Sequence, residues 1–125
     1  MLRLTRTLGT AALRLREDWI ESVTLTATPE AVDLVGVTLE ARLVDLYRPD
    51  EVALVIPLVD AVNDPPPVRL EIGSRATNGD VDLFLRVPAS AVADALRPHD
   101  YRLDLFATAD GQTGCFASGV RQFRE

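Results

Sequence analysis

Hydrophobic and polar residues alternate along most of the chain, which is the pattern of β-strands with one buried face. The clearest example starts at Tyr101, where Tyr, Leu, Leu and Ala occupy every second position up to Ala107. Turn-forming residues separate seven segments of this kind. They are Trp19–Ala27, Val37–Leu43, Val52–Val59, Val68–Ile72, Val81–Val87, Tyr101–Ala107 and Cys115–Phe123. The pattern predicts an all-β protein, an antiparallel β-sandwich of about seven strands.

One segment has helical character. Residues Ala89 to Leu96 are rich in alanine, Ser90 could cap the helix, and Pro98 would end it. Because the segment is short, it predicts a crossover between sheets and not a separate layer. Pro57 lies within an otherwise apolar strand and favours an edge position or a bulge.

The tightest turns are marked by residue pairs that adopt positive φ readily. Asn78-Gly79 and Asp110-Gly111 are both favoured in two-residue hairpin loops. The segment from Asn63 to Pro67 carries three consecutive prolines. We expect it to be a loop between sheets, since neither side of it is large enough to fold alone.

The N-terminal segment fits the sandwich poorly, so we place a boundary after residue 12 and assign 13–125 to a single domain. Leu2, Leu4 and Leu8 are apolar, and Arg3 and Arg6 lie between them. Such a segment is either a frayed end or an assembly arm that becomes ordered on a partner. We expect the arm to pack on a neighbouring subunit, and its deletion to leave the fold nearly intact.

The residues before the strand at Tyr101 have a characteristic spacing. Leu96, Pro98 and Tyr101 form the pattern Leu-x-Pro-x-x-Tyr, which resembles the tyrosine corner of immunoglobulin-like sandwiches. There the Tyr hydroxyl bonds to backbone a few residues upstream. We predict that Tyr101 is buried and bonded to backbone between Leu96 and Asp100. The alternative is an ordinary half-buried tyrosine after a turn.

Composition narrows the possible functions. The 125 residues are 47% hydrophobic, enough to form one folded domain, and the net charge is −6. An acidic chain is a poor candidate for nucleic-acid binding, which requires clustered cations. All 13 basic residues are Arg. This reflects either genome composition or the suitability of Arg for protein interfaces.

Candidate chemistry is sparse, and we predict neither catalytic residues nor a cofactor. His99 beside Asp100 could form an acid–base pair, but we favour a solvated turn histidine, because no Ser or Cys is evidently near it. Cys115 is the only cysteine, and its apolar surroundings favour a small buried residue over a nucleophile. We also expect no metal site, because acidic residues that could bind calcium lack the spacing of a calcium loop. These residues are Asp80, Asp82, Asp100, Asp104 and Asp110.

The sequence also bears on where the protein is located in the cell. No apolar run is long enough to span a membrane, and the N-terminus lacks the continuous apolar region of a signal peptide. We therefore expect no membrane partner and a protein that is made in the cytoplasm and kept or assembled there.

Taken together, the turns and strands resemble small immunoglobulin-like modules of tailed-bacteriophage virion proteins. Arg16-Glu17-Asp18 leads into the first strand, and Asp33-Leu34-Val35-Gly36 leads into the second. Gly79 to Leu83 precedes the Ala-rich helical segment. The corner residues and Asp104-Leu105 follow it. The resemblance covers most of residues 13 to 123, although the last turn, Asp110-Gly111, is shorter than in those modules.

The resemblance implies an immunoglobulin-like fold and a non-enzymatic structural role in the tail, baseplate or neck of a virion. The implied partners are other virion proteins and copies of the chain itself, assembled in the host cytoplasm into a homo-oligomer. The alternatives are a capsid decoration protein, or a free-standing adhesion module for carbohydrate or protein.

Overall fold

The computed structural model describes residues 6–25, 36–59, 66–75 and 80–125, without the side chains of residues 6, 7, 74 and 75. Eight strands and one short helix occupy these ranges. In chain order they are β1 (Arg6–Arg14), β2 (Trp19–Leu25), β3 (Thr38–Asp45), β4 (Val52–Pro57), β5 (Arg69–Arg75), β6 (Val81–Val87), α1 (Ala89–Ala95), β7 (Asp100–Ala109) and β8 (Gln112–Arg124).

The strands form two sheets. The larger has the order β1-β8-β7-β3-β4, and the smaller has the order β2-β6-β5. All neighbouring strands are antiparallel except β1 and β8, which run parallel. β4 and β5, which flank the proline-rich segment along the chain, belong to different sheets, as expected of a loop between sheets; residues 63–65 of that segment lie outside the described residues.

The hairpin between β7 and β8 confirms the turn predicted at Asp110-Gly111. Ala109 pairs with Gln112, so the loop has two residues. Asp110 and Gly111 have φ values of 52° and 76°. Positive φ at both positions suits the right-handed twist of the flanking strands, and Asp-Gly adopts it readily.

The core lies between the sheets and is formed by alternate residues of each strand, as the period-two pattern predicts. In β6 and β7 the inward positions are buried Leu and Val residues together with Tyr101. Three aromatic rings meet at one end of this core. The ring of Phe123 makes edge contacts with Trp19 at 5.3 Å and with Tyr101 at 5.7 Å between centroids.

This arrangement is an immunoglobulin-like β-sandwich. β8, β7, β3 and β4 follow the order of strands G, F, C and C′ of variable-type domains, and β2, β6 and β5 follow B, E and D. The helix α1 crosses from the smaller sheet to the larger one, as expected. Antibody domains have a disulfide cysteine two residues after the corner tyrosine; here that position is Leu103, which is buried in the core.

The structure corrects the boundary placed after residue 12. Arg6–Arg14 forms an edge strand whose residues pair with β8 along its length, so the sandwich begins at β1 and not near Leu13. Leu8 packs against the core, and Arg6 is within the strand. An apolar N-terminal segment can pair with the free edge of its own sheet, so it does not need a partner protein to become ordered. Leu2, Arg3 and Leu4 lie outside the described residues.

An ion pair between the sheets also anchors β1. Arg121 of β8, only 3% exposed, donates from Nε and Nη2 to the carboxylate of Glu21 in β2, at 2.5 and 2.8 Å. Its Nη1 donates to the Gly9 carbonyl of β1 at 2.9 Å. Trp19 Nε1 donates to the same carboxylate at 2.7 Å. A buried charge is tolerated only when it is paired and hydrogen-bonded in this way.

The structure tests the helix cap predicted at Ser90 and does not describe the hairpin predicted at Asn78-Gly79. Ser90 does not cap α1: the helix starts after Pro88, and Asp18 accepts a hydrogen bond from the Ala89 amide at 2.8 Å. Ser90 lies inside the first turn, too far along the helix to act as its cap. The hairpin pair Asn78-Gly79 lies outside the described residues.

Candidate functional site

The turn before β7 is fixed by Tyr101, whose side chain is 2% exposed. The Arg97 amide donates a hydrogen bond to the Tyr101 hydroxyl at 2.9 Å. This is the predicted bond, to backbone between Leu96 and Asp100. Leu96 is buried and ends α1, and exposed Pro98 lies between it and the strand. The three corner residues thus lie together, and they orient the turn that carries His99.

His99 has a partner that its sequence neighbours do not suggest. Its Nδ1 lies 2.8 Å from Oδ2 of Asp45, at the end of β3, while Asp100 accepts a hydrogen bond from Arg124. The other oxygen of Asp45 accepts the Tyr47 amide at 2.9 Å. The Tyr47 ring lies against the His99 ring, 4.9 Å between centroids.

These contacts change the acidity of two groups. Burial opposes ionisation of Asp45. The hydrogen bonds from His99 and the Tyr47 amide, with the nearby charges of His99 and Arg48, outweigh it and lower the Asp45 pKa. Burial raises the pKa of Tyr101, despite its bond to the Arg97 amide. Asp45 is therefore held as a carboxylate that fixes the β3–β4 turn, and Tyr101 is held as a neutral phenol.

A cavity of about 300 Å³ lies beside this cluster. It lies between the β3–β4 turn, the start of β4 and the end of α1, and its lining is mixed. The lining residues are Asp45, Arg48, Glu51, Val52, Ala53, Ala95, Arg97, His99 and Tyr101. Arg48 and Glu51 interact weakly at 3.8 Å, and both side chains are largely exposed. The cavity can hold a small polar group, but no reactive triad lines it.

Exposed apolar side chains cluster next to the cavity and form what we call the β4 patch. Tyr47 is 73% exposed, and Val52 and Val55 are 48% and 45% exposed. Leu46, in the turn that leads to β4, is the fourth member. An exposed cluster of large apolar residues is typical of an interaction surface.

A bulge explains why Val52 and Val55 share one face although they are three residues apart. Val44 pairs with Val52 and Arg42 pairs with Val55, so Ala53 is an extra residue in β4. Strict alternation would have placed the two valines on opposite faces. The bulge directs both away from the core.

β4 is also an edge strand of its sheet, as Pro57 predicted. The Leu58 amide donates to the Leu39 carbonyl of the neighbouring strand. Since backbone groups alternate in direction along a strand, the N–H and C=O of Val55 point away from β3. Past Pro57 that side is occupied, because Leu58 bridges Leu70 of β5 and the Val59 amide donates to the Leu70 carbonyl at 3.0 Å. Pro57 has no N–H to leave unpaired there.

The remaining predicted groups are dispersed. Cys115 is exposed on β8, so the expectation of a buried residue is wrong. The register shift between Leu105 and Phe106, opposite it, turns its side chain outward. Asp104 accepts hydrogen bonds from Arg102 and Ser118, and Asp82 accepts one from Thr24. Within the described ranges, no group of three or more His, Cys, Asp or Glu residues could hold a metal ion. No helix there is long and apolar enough to cross a membrane.

Comparison with known proteins leaves the family open. Neither the models of known protein families nor the curated proteins include a match to this chain. The structure thus establishes the fold class, and the relation to phage virion modules stays a prediction.

Proposed function

We propose that this chain is a non-enzymatic structural protein of a tailed-bacteriophage virion that assembles through the β4 patch. The observation that carries the proposal is the combination of an edge strand, on which the Val55 backbone groups face away from the sheet, with four exposed apolar side chains. Aromatic and apolar residues next to unpaired backbone groups are suited to strand addition by a partner.

The use of the polar groups supports a structural role. Glu21 is hydrogen-bonded to Arg121 across the sandwich, Asp104 to Ser118 of the neighbouring strand, and His99 to Asp45. Each is occupied in holding strands or turns together. In the described part of the chain, no buried side-chain N or O atom lacks a hydrogen-bond partner. Such a leftover group would be a reason to propose chemistry.

The virion setting rests on the resemblance of the turns and strands to phage modules, with which the immunoglobulin-like fold is compatible. Fold alone does not determine function. The setting therefore needs a test of its own, separate from a test of the surface.

That test is the protein content of phage particles. Particles should be purified by density gradient from cultures that express the chain from its own genome, and quantified by mass spectrometry. A structural protein should be present in a fixed molar ratio to the other virion proteins across gradient fractions. If the chain stays in the lysate and is absent from the particles, the virion proposal is wrong.

The surface is tested in the same particles with a matched pair of variants. Val55→Arg adds a charge to the β4 patch, and Ile72→Arg adds one to β5 at a residue that is nearly as exposed, 42% against 45%. We expect Val55→Arg to reduce incorporation at least tenfold and Ile72→Arg to leave it unchanged. Equal incorporation of both variants would contradict assembly through the patch.

One observation favours a second candidate, the carbohydrate-binding adhesion module. Tyr47 holds an exposed ring against His99 beside a cavity lined by Arg48, Glu51 and Arg97. An aromatic face next to charged hydrogen-bonding groups can bind a sugar ring. The candidate predicts that a saccharide in a glycan array binds the wild type and does not bind Tyr47→Ala. The variant Tyr101→Phe should bind that saccharide as the wild type does.

A further inference from the structure

The cavity beside His99 is lined by hydrogen-bond donors that have no acceptor. The Tyr101 hydroxyl accepts the Arg97 amide at 2.9 Å, but its own hydrogen has no acceptor within the described ranges. Because Tyr101 is only 2% exposed, bulk solvent does little to compensate. The Arg97 guanidinium also has no ion-pair or hydrogen-bond partner in the part of the chain that the structure describes. Both residues line the cavity, so it offers donors to a ligand.

The two carboxylates of the cavity are already engaged or solvated. Asp45 receives His99 Nδ1 at one oxygen and the Tyr47 amide at the other. Glu51 lies 3.8 Å from Arg48, and these two side chains are 70% and 74% exposed, so they form a hydrated pair of opposite charges. Donors without acceptors, next to acceptors that are in use, favour a ligand that accepts hydrogen bonds.

Charge limits the ligand to a single negative charge. The permanently charged side chains of the lining are two arginines and two carboxylates, so their charges cancel: Arg48, Arg97, Asp45 and Glu51. A carboxylate adds one negative charge to this set. A phosphate adds up to two, beside two carboxylates and on a chain whose net charge is −6. Arginine also presents a fork of N–H donors that matches the two oxygens of a carboxylate.

The remainder of the lining suits a short aliphatic chain. Val52 and Ala53 at the start of β4 and Ala95 at the end of α1 contribute apolar surface. The volume of about 300 Å³ is at the lower end of the range for small-molecule sites. A carboxylic acid with a few methylene groups, such as the side chain of glutamate, has one end for the donors and one for the apolar residues.

We propose that this cavity binds a short-chain aliphatic carboxylate, whose oxygens accept hydrogen bonds from the Arg97 guanidinium and the Tyr101 hydroxyl. Its methylene groups pack on Val52, Ala53 and Ala95. Two sources share this chemistry, a free carboxylic acid and a glutamate side chain in a segment of a partner protein. The site goes beyond the proposed function, because it binds its ligand whether or not the β4 patch associates.

The test is titration of the isotope-labelled full chain with butyrate, followed by NMR. The Arg97 amide is the most direct reporter, because it is bonded to the Tyr101 hydroxyl. We expect saturable shifts at Arg97 and at the other lining residues. Butyramide has the same carbon chain without the charge and should cause no such shifts. Sodium chloride at equal ionic strength is the control for an effect of salt.

Two variants and a matched control assign the donors. Arg97→Gln and Tyr101→Phe should each weaken butyrate binding at least tenfold, because each removes a hydrogen bond to a charged group. Arg16→Gln makes the same change of charge at an exposed residue that does not line the cavity. It should bind butyrate as the wild type does. Thermal unfolding verifies that each variant is folded.

A blocked peptide with a single glutamate, and the same peptide with glutamine, distinguish the two sources. If the glutamate peptide binds at the cavity more tightly than butyrate, the ligand is a partner's side chain; if it binds equally or more weakly, the ligand is a free acid. The inference is overturned if neither probe shifts the lining residues, if butyramide shifts them equally, or if Arg97→Gln binds as the wild type does. Incorporation into particles without carboxylate binding leaves the proposed function standing and rejects the site. Carboxylate binding by a chain absent from particles does the reverse.

Discussion

At the scale of single residues, the end of the sandwich near α1 is organised by Tyr101. Its ring packs on Phe123 inside the core, and its hydroxyl accepts the Arg97 amide outside it. One side chain therefore connects the core to the crossover turn. The same turn positions His99 against Asp45, so that the core, the turn and the exposed Tyr47 ring form a continuous series of contacts.

Removal of the Tyr101 hydroxyl tests this connection. Tyr101→Phe keeps the ring and leaves the Arg97 amide without its acceptor, so the free energy of unfolding should fall by about 1 kcal/mol. Urea unfolding measures the difference. Tyr47→Phe is the control, because that ring is largely exposed and its substitution should change stability little. Equal stability of Tyr101→Phe and the wild type would contradict a contribution from the corner.

The Asp45 carboxylate makes stability depend on pH. Its pKa lies below the usual 3.8 in the folded protein. A carboxyl of this kind stabilises the fold above its unfolded pKa, and the contribution is lost as the pH falls through the folded pKa. Asp45→Asn should therefore cost about 1–2 kcal/mol at pH 7. The difference should begin to shrink below pH ~4, where an aspartate of the unfolded chain titrates, and should vanish only below the lower pKa of the folded protein.

Chemical denaturation at a series of pH values from neutral to acidic measures that difference. The control is Asp50→Asn, an exposed residue of the same turn, which should match the wild type throughout. A gap between Asp45→Asn and the wild type that stays constant over the whole range would show that ionisation of Asp45 is not the source of the stability.

At the scale of secondary-structure elements, the two sheets are joined by apolar packing and by one buried ion pair. Arg121 and Glu21 connect β8 to β2, and the Gly9 carbonyl adds β1 to the same guanidinium. Gly119 permits the close approach of β1, because a Cβ there would lie 2.5 Å from the Gly9 carbonyl oxygen. This edge of the sandwich is thus specified by a few residues and not by a large apolar surface.

Loss of one partner should be costly. Arg121→Met leaves the Glu21 carboxylate in the sandwich without its cation, and breaking a buried pair in this way typically costs about 3–5 kcal/mol. The double variant Arg121→Met with Glu21→Leu removes both charges and should recover much of that loss. Thermal and urea unfolding of the wild type, Arg121→Met and the double variant measure the loss and its recovery. A double variant no more stable than Arg121→Met would contradict the ion-pair explanation.

Deletion of residues 1 to 12 tests the role of β1. From the sequence we expected this deletion to leave the fold nearly intact. In the structure it removes most of an edge strand and the Gly9 carbonyl that accepts a hydrogen bond from Arg121, so we now expect it to destabilise the fold. We expect a loss on the order of 2–4 kcal/mol from the lost hydrogen bonds and the exposed Leu8 contacts. Deletion of residues 1 to 5 alone leaves all of β1 and is the control. An unchanged melting temperature after the longer deletion would restore the arm interpretation.

Local patterns predicted much of the fold, and contacts between distant residues account for what they did not. Alternation located the strands, and spacing alone predicted the bond of Tyr101. The local sequence pattern did not reveal that β1 pairs with β8, because parallel pairing between segments far apart in the chain has no local signal. Glu21 and Arg121 are 100 residues apart, and each resembles an ordinary surface charge in its own segment.

The β4 patch was only half predictable for a similar reason. Pro57 indicated an edge strand, and the edge is there. The exposure of both Val52 and Val55 depends on the bulge at Ala53, which is set by the pairing of β4 with β3. Likewise, the partner of His99 is Asp45, 54 positions away. Sequence proximity suggested Asp100, but that residue is engaged by Arg124.

At the scale of the whole molecule, the net charge and the exposed apolar surface have opposite effects on association. A net charge of −6 opposes the association of copies over most of their surface. The β4 patch brings apolar side chains to one edge, next to the charged residues Arg48, Asp50 and Glu51 of the preceding turn. A structural subunit needs this combination, because it must stay soluble as a single chain and still associate at a defined surface. The central claim is that association occurs at β4.

Sedimentation velocity over a range of concentrations tests that claim most directly. The wild type, Val55→Arg and Ile72→Arg should be compared after thermal unfolding shows that all three are folded. We predict that the wild type and Ile72→Arg shift from monomer to dimer with the same concentration dependence, and that Val55→Arg stays monomeric at concentrations at least tenfold higher. A wild type that remains monomeric throughout, or a Val55→Arg variant that associates as the wild type does, would contradict association through β4.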